Sequence, residues 1–240
     1  LNRFRDFARR TRTRFDVVPD PEGLRIGSGG ATLRALKTIE PLRAGESRGE
    51  RNPHRVLLIH SGGDSRRLPH ASATGKLFAR VPRHLPDGRA STIFDEFLVS
   101  LSGLVRGLPS GVLVASGDVL LVFDPLQISF QRSGVIGVAA AVPAKMGTRH
   151  GVYVSDPGHP WVRAFLHKPS RELLDRWNAV AEDDTVQVDT GLVWLDADVT
   201  AKLARGADLG AVAGLPAGNP LNLYGDLLLP LSPSTTLGVY

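Results

Sequence analysis

A short apolar run that breaks into two glycines and then two arginines constrains this chain more than any other feature. Arg55-Val56-Leu57-Leu58-Ile59 leads directly into His60-Ser61-Gly62-Gly63-Asp64-Ser65-Arg66-Arg67-Leu68-Pro69, with Gly75-Lys76 close behind. The apolar run predicts a buried parallel strand. The glycines let the backbone approach a ligand and aim its N–H groups at phosphate oxygens. Arg66 and Arg67 supply planar, permanently charged forks, and Lys76 adds a compact charge that can follow a moving phosphate. Gly-Gly alone serves many turns. The whole string suggests a nucleotidyltransferase, with Gly62, Gly63, Asp64, Ser65 and Arg66 around the nucleotide.

Beyond this loop, strand and helix patterns alternate. Residues 77–82 read as a short strand. Ser91 or Thr92 caps a helix to about Val105, with Phe94, Phe97, Leu98, Leu101 and Leu104 on its apolar face. Strands are predicted over 112–115, 134–142, 151–155 and 161–166. A helix from Ser170 turns Leu173, Leu174 and Trp177 inward, and a strand over 186–195 precedes a helix near 198–206. Continuous apolar strands between helices predict an α/β fold with a mostly parallel central sheet flanked by helices. One domain over 1–240 is expected, with a basic, Gly-rich segment over 1–54 and a core over 55–240. Residues 43–54 read as an exposed loop, and 1–15 as a basic helix with three phenylalanines.

Composition narrows the chemistry. The chain has no cysteine, so disulfides and thiolate metal sites are excluded. No stretch reaches the roughly eighteen apolar residues of a membrane span, and no apolar secretory leader is visible, so a cytoplasmic protein without membrane contact is expected. The net charge is +5, yet only Lys37, Lys76, Lys145, Lys168 and Lys202 of the 29 basic residues are lysines. That excess fits an anionic metabolite or an arginine-rich composition. Without an RNA-binding aromatic signature or zinc-finger spacing, no nucleic-acid partner is expected.

Ligands of open α/β sheets bind beyond the carboxyl ends of strands. Besides the Gly-Gly loop, Ser116-Gly117-Asp118 follows such an end. An Asp placed there suits Mg²⁺, which takes one or two carboxylates plus substrate phosphates; the alternative is a cap on the next turn. Asp226, in Asn222-Leu223-Tyr224-Gly225-Asp226, is the candidate second carboxylate or part of a surface turn, and Asp189 competes with it. Gly27-Ser28-Gly29-Gly30 before a helix reads as an anion site through Gly29 and Gly30, or as a flexible turn. Lys168, at a strand end before Pro169, could hold a sugar phosphate or be merely solvated. Asp189-Thr190-Gly191 offers sugar contacts or a β-bulge.

In order, GSGGATL, HSGGDSRRLP with its GK, SGDVLLVFD, HGVYV, FLHKPS, DTGLVWL and NLYGD resemble the pyrophosphorylase half of the bifunctional L-fucokinase/GDP-fucose pyrophosphorylase family. The resemblance runs through most of the chain. It implies a GT-A-like nucleotidyltransferase fold, Mg²⁺ dependence, and transfer of GMP from GTP to β-L-fucose 1-phosphate. The wider sugar nucleotidyltransferase superfamily carries a Gly-Gly-x-Gly-Thr-Arg-Leu loop with a downstream Lys. On that pattern Arg67 takes the Arg place, Lys76 the Lys place, and Asp118 matches the metal-binding Asp. Ser65 and Arg66 stand where Gly-Thr is preferred, and His167 where an acidic or amide residue usually precedes Lys-Pro. The implied catalytic set is Arg67, Lys76 and Asp118, with metal at Asp118 and Asp226 and sugar phosphate at Lys168, Asp189, Thr190 and Gly191. The chain begins with Leu1 and is expected to be a fragment or a processed product. Fusion to a sugar kinase domain in the full-length protein is left open.

Overall fold

The computed structural model describes residues 14–21, 24–44, 55–61, 69–71, 75–124, 127–130, 133–155, 158, 161–206 and 220–228. The loop carrying Gly62, Gly63, Asp64, Ser65, Arg66 and Arg67, most of the basic stretch 1–15, and most of the linker 43–54 lie outside them. In chain order the elements are α1 (Gly27–Ala44), β1 (Arg55–His60), β2 (Arg80–His84), β3 (Ala90–Thr92), α2 (Ile93–Gly107), β4 (Gly111–Ser116) and β5 (Val135–Pro143). There follow α3 (Ala144–Gly147), β6 (Gly151–Ser155), β7 (Val162–His167), α4 (Arg171–Arg176), β8 (Thr185–Asp196) and α5 (Ala197–Gly206). A π-helical turn spans Leu223–Leu228.

The long strand β8 organises the main sheet. The strands run β1-β4-β8-β6-β7, and β5 pairs with the other edge of β8. Period-two alternation puts two cores on the two faces. On one, Leu113 and Ala115 of β4 and Leu192 and Trp194 of β8 meet Phe94, Phe97, Leu101 and Leu104 of α2. On the other, Val112, Val114, Val193 and Leu195 meet Leu36 of α1 and Ala204 of α5. Each fully buried leucine here contributes about 1.5–3 kcal/mol. A third cluster joins Val152, Val154, Ala164 and Leu166 of the β6–β7 hairpin to Leu174 of α4 and Val186 of β8.

Local chemistry sets the helix starts. Thr92 and Asp95 form a reciprocal capping box at the start of α2. The Ser170 hydroxyl accepts the Leu173 N–H at the start of α4. The predicted strand over 77–82 divides instead into a 3-10 turn, Lys76–Phe78, and then β2. Gly75, at φ +82°, turns the chain, and the Phe78 N–H closes the turn on the Gly75 carbonyl.

The sheet is mixed, which corrects the expectation of a mostly parallel one. Among the described residues only β1 and β4 pair in parallel; β4–β8, β5–β8, β6–β8 and β6–β7 are antiparallel. The reason lies in the connections. Residues 156–161 alone join β6 to β7, too few for a parallel crossover, which needs about a dozen or more. Continuous apolar runs report burial on both faces, and here helices cover an antiparallel strand as fully as a parallel one.

Candidate active site

β1 and β4 stay in register from Arg55 opposite Gly111 to His60 opposite Ser116, so their carboxyl ends finish together. There the Gly117 N–H donates to the His60 carbonyl at 3.0 Å. A Cβ on Gly117 would lie 2.2 Å from that oxygen, so the approach requires glycine. Gly63 is outside the described residues, but the strand end that launches its loop is thus one hydrogen bond from the Asp118 turn. Gly75 comes back to the same rim, with the Ser61 hydroxyl 3.6 Å from the place of its Cβ.

Two predicted catalytic residues meet at this rim. The Lys76 ammonium donates to Asp118 Oδ2 at 3.1 Å, and the Ser116 hydroxyl donates to Asp118 Oδ1 at 3.0 Å. Burial opposes the carboxylate charge, but Lys76 and Ser116 outweigh it and hold Asp118 below the usual aspartate range. Its side chain is 49% exposed, against 23% for Lys76. The result is a charged carboxylate, open to solvent, with a cation already at hand.

The other half of the site follows from the register of β8. Val138 of β5 opposes Leu192, but the next residue, Ala139, opposes Asp189. Thr190 and Gly191 are therefore extra, and Asp189-Thr190-Gly191 is a β-bulge. On its far edge β8 pairs with β4 up to Leu192 and with β6 at Val188 and Gln187. The bulge is the fork where β4 and β6 part. Into it run the carboxyl end of β4, which carries Asp118, and the start of β6 with the end of β7, where the Lys168 N–H donates to the His150 carbonyl. Bulges concentrate beside functional sites because they re-aim side chains and end pairing.

Placement of the remaining candidates is specific. Gly191 sits at φ +76°, with Ser116 Cβ 2.8 Å from where its own Cβ would be. The Thr190 hydroxyl donates to the Val138 carbonyl at 2.7 Å, within the bulge. Lys168 is exposed and holds a left-handed φ of +48°, a conformation that costs a non-glycine residue and is found at functional positions. Gly29 and Gly30 lie inside the first turn of α1, not ahead of it. The Gly29 N–H is taken by the Leu221 carbonyl at 2.9 Å. Asp226 is exposed and its Oδ2 accepts the Asn222 N–H at 2.6 Å, closing its own turn. Among the described residues no three His, Asp or Glu side chains gather to hold a metal.

Sequence reasoning missed what surrounds Asp189. Its Oδ1 accepts both the Tyr153 hydroxyl at 2.9 Å and the Gly191 N–H at 3.0 Å. The Tyr224 ring stands beside them, 6.5 Å from Tyr153 between centroids and stacked on Phe165 at 4.6 Å. Burial pushes the Asp189 carboxyl up, against the stabilising Gly191 and Tyr153 donors. It also raises both tyrosines well above their ordinary range. The available signal was scarcity: the chain has three tyrosines, and two pack together here, Tyr153 on the carboxylate and Tyr224 beside it. His60 was also unassigned. Its Nε2 lies 2.9 Å from the Thr32 hydroxyl, which itself donates to the Ser28 carbonyl, so His60 is the donor of that pair. Burial lowers its pKa, offset in part by Asp20.

Comparison with known proteins identifies the family. Residues 51–239 match the fucose pyrophosphorylase domain family. A fucose-1-phosphate guanylyltransferase of Mus musculus is 32% identical over 92% of this chain and 41% of its own length. The Homo sapiens protein of the same name is 34% identical over 69% of this chain and 28% of its own length. A bifunctional fucokinase/GDP-fucose pyrophosphorylase of Arabidopsis thaliana is 29% identical over 74% of this chain and 20% of its own length. The chain thus spans less than half the length of each of these relatives.

Proposed function

We propose a reaction for this chain, which belongs to the fucose pyrophosphorylase family: transfer of GMP from GTP to L-fucose 1-phosphate, releasing pyrophosphate and forming GDP-L-fucose. The observation that carries it is the paired Lys76 and Asp118 at the joint end of β1 and β4, facing the β8 fork. A GT-A-like arrangement is inferred from that parallel pair, whose carboxyl ends launch the Gly-Gly loop and the Asp118 turn.

A sugar phosphate oxygen attacks the α-phosphorus of GTP, the bond from the α-phosphorus to the bridging oxygen breaks, and pyrophosphate leaves with that oxygen. No general base is required, because a phosphate monoester with a second pKa of about 6 is already an anion at neutral pH. The protein positions the partners and neutralises charge. Arg67 and the Gly62–Gly63 amides hold the triphosphate, and Lys76 and Lys168 draw a second anion toward it against repulsion. Mg²⁺ fits the residues present: Asp118 offers a half-exposed, fully charged oxygen ligand, and substrate phosphates complete the set. Bound there, the ion would neutralise developing phosphate charge. The cytoplasm, where GTP is abundant, is the compartment this proposal assigns to the reaction; among the described residues no helix is long and apolar enough to cross a membrane.

The test is pyrophosphate release from a panel of nucleoside triphosphates and sugar 1-phosphates. GTP with L-fucose 1-phosphate should give the highest catalytic efficiency. A preference for another base or sugar would replace this assignment.

A further inference from the structure

We infer that Asp189 is a positioning residue, which shapes the site through hydrogen-bond acceptance at Oδ1 and neither ligates metal nor touches the sugar; this rests on the reaction proposed above. Three observations carry it. First, Oδ1 is committed on the protein side, because it takes the Gly191 N–H at 3.0 Å and the Tyr153 hydroxyl at 2.9 Å. Second, the carboxylate and the rings around it join three elements. Tyr153 comes from β6, Tyr224 from the Leu223–Leu228 turn, and Gly191 from β8 itself. The rings are fixed in turn, with Tyr153 5.3 Å and Tyr224 4.6 Å from Phe165 between centroids. Tyr153 also lies over Gly137 of β5, where a Cβ would be 2.7 Å from its hydroxyl.

Third, the clamp leads to the proposed chemistry by direct contact. The bond from the Gly191 N–H to Asp189 fixes the bulge, which presses Gly191 against Ser116, where no side chain would fit. Ser116 in turn donates its hydroxyl to Asp118, and Asp118 holds Lys76. A change at Asp189 therefore reaches Asp118 through two neighbours, each held by van der Waals contact or a hydrogen bond. The same clamp ties the Asn222-Leu223-Tyr224 segment to the fork, giving that part of the chain a role without metal ligation by Asp226.

The experiment compares Asp189→Ala, Asp189→Asn and Tyr153→Phe in the 240-residue chain. Asp189→Ala removes the acceptor; Asp189→Asn keeps Oδ1 and discards the charge. The expected result for Asp189→Ala is a fall in kcat on the order of tenfold to a hundredfold, the scale for a catalytic group displaced by about an ångström. KM for fucose 1-phosphate should stay close to that of the parent chain, because no ground-state contact to the sugar is removed. Asp189→Asn should restore most of the lost kcat, and Tyr153→Phe should show a smaller fall of the same kind. Adding Ser116→Ala to Asp189→Ala should cost little more than the worse single change, because both act on Asp118 by one route.

If Asp189→Asn is as damaging as Asp189→Ala, charge is what matters and the positioning role is wrong. A raised KM with kcat kept would show direct sugar contact and also overturn it. Amide hydrogen exchange reads the clamp without any substrate. Exchange in Asp189→Ala should quicken both around 186–195 and around 115–119, and quickening confined to the bulge would refute the link to Asp118. Should Asp189→Ala fail to fold, Tyr153→Phe carries the same two readouts. A wild-type chain inactive with GTP and fucose 1-phosphate would count against the proposed reaction, and exchange would still decide the clamp.

Discussion

Lys76→Met separates catalysis from stability at one position. The substitution keeps the length of the stem, which matters because that side chain is only 23% exposed, and removes the ammonium 3.1 Å from Asp118. Asp118 is about half exposed, so in folding the pair behaves as a surface ion pair contributing about 0–1 kcal/mol. In a chain of this size 1 kcal/mol moves Tm by about 2–4 °C, so the melting point should fall by no more than that. Catalysis should respond on another scale. A preorganised donor facing charge that develops in the transition state contributes about 2.7–4 kcal/mol, a factor of roughly 10²–10³ in kcat. The assay is steady-state pyrophosphate release at saturating GTP and fucose 1-phosphate, with thermal melting of the same preparation. A kcat within about threefold of the parent would remove Lys76 from the mechanism, since that is under 1 kcal/mol. A loss of Tm several times larger than expected would instead make Lys76 a folding residue.

Four further outcomes follow from the same geometry. Asp118→Asn should abolish Mg²⁺-dependent turnover while nucleotide binding without metal persists. Because the Asp118 pKa is depressed in the fold, its contribution to stability is present above the ordinary aspartate pKa and lost as pH falls through the folded value, so Asp118→Asn should melt with a shallower acid dependence. Asp226→Asn should leave the Mg²⁺ titration unchanged, since its carboxylate closes the Asn222 turn; a large rise in the Mg²⁺ requirement would make it the second ligand. Lys168→Gly should relieve left-handed strain of roughly 1–2 kcal/mol and hold or raise Tm, yet raise KM for fucose 1-phosphate; an unchanged KM would make Lys168 a solvated loop cation. Thr92→Ala should cost about 0.5–2 kcal/mol through the lost capping box, read by denaturant melting, with kcat at 25 °C intact.

Much of this was legible in the sequence because it is local. The 3.6-residue spacing of Phe94, Phe97, Leu101 and Leu104 marks α2, and Thr92 with Asp95 marks its start. The β8 pattern is read almost to its ends, 186–195 against Thr185–Asp196. Lys76 and Asp118 were placed in one site by the rule of strand carboxyl ends, and they lie 3.1 Å apart. Strand direction was not legible, because burial on both faces writes the same apolar run for either. Nor was the clamp, since a hydroxyl on Tyr153 and a carboxylate on Asp189 have no signature at 36 residues' separation. For Gly29 the glycine served close packing: a Cβ there would stand 3.0 Å from the Asn222 carbonyl oxygen. Sequence spacing cannot distinguish a backbone that must approach another backbone from one that must approach a phosphate.

The most direct test of the proposed chemistry follows ³²P from α-labelled GTP incubated with L-fucose 1-phosphate, Mg²⁺ and this chain. Label should appear in GDP-L-fucose in step with one pyrophosphate released, and both should vanish together in Asp118→Asn. Label in GMP or GDP instead, or transfer that proceeds equally well without the sugar phosphate, would contradict a guanylyltransferase acting at the fork between β4 and β6.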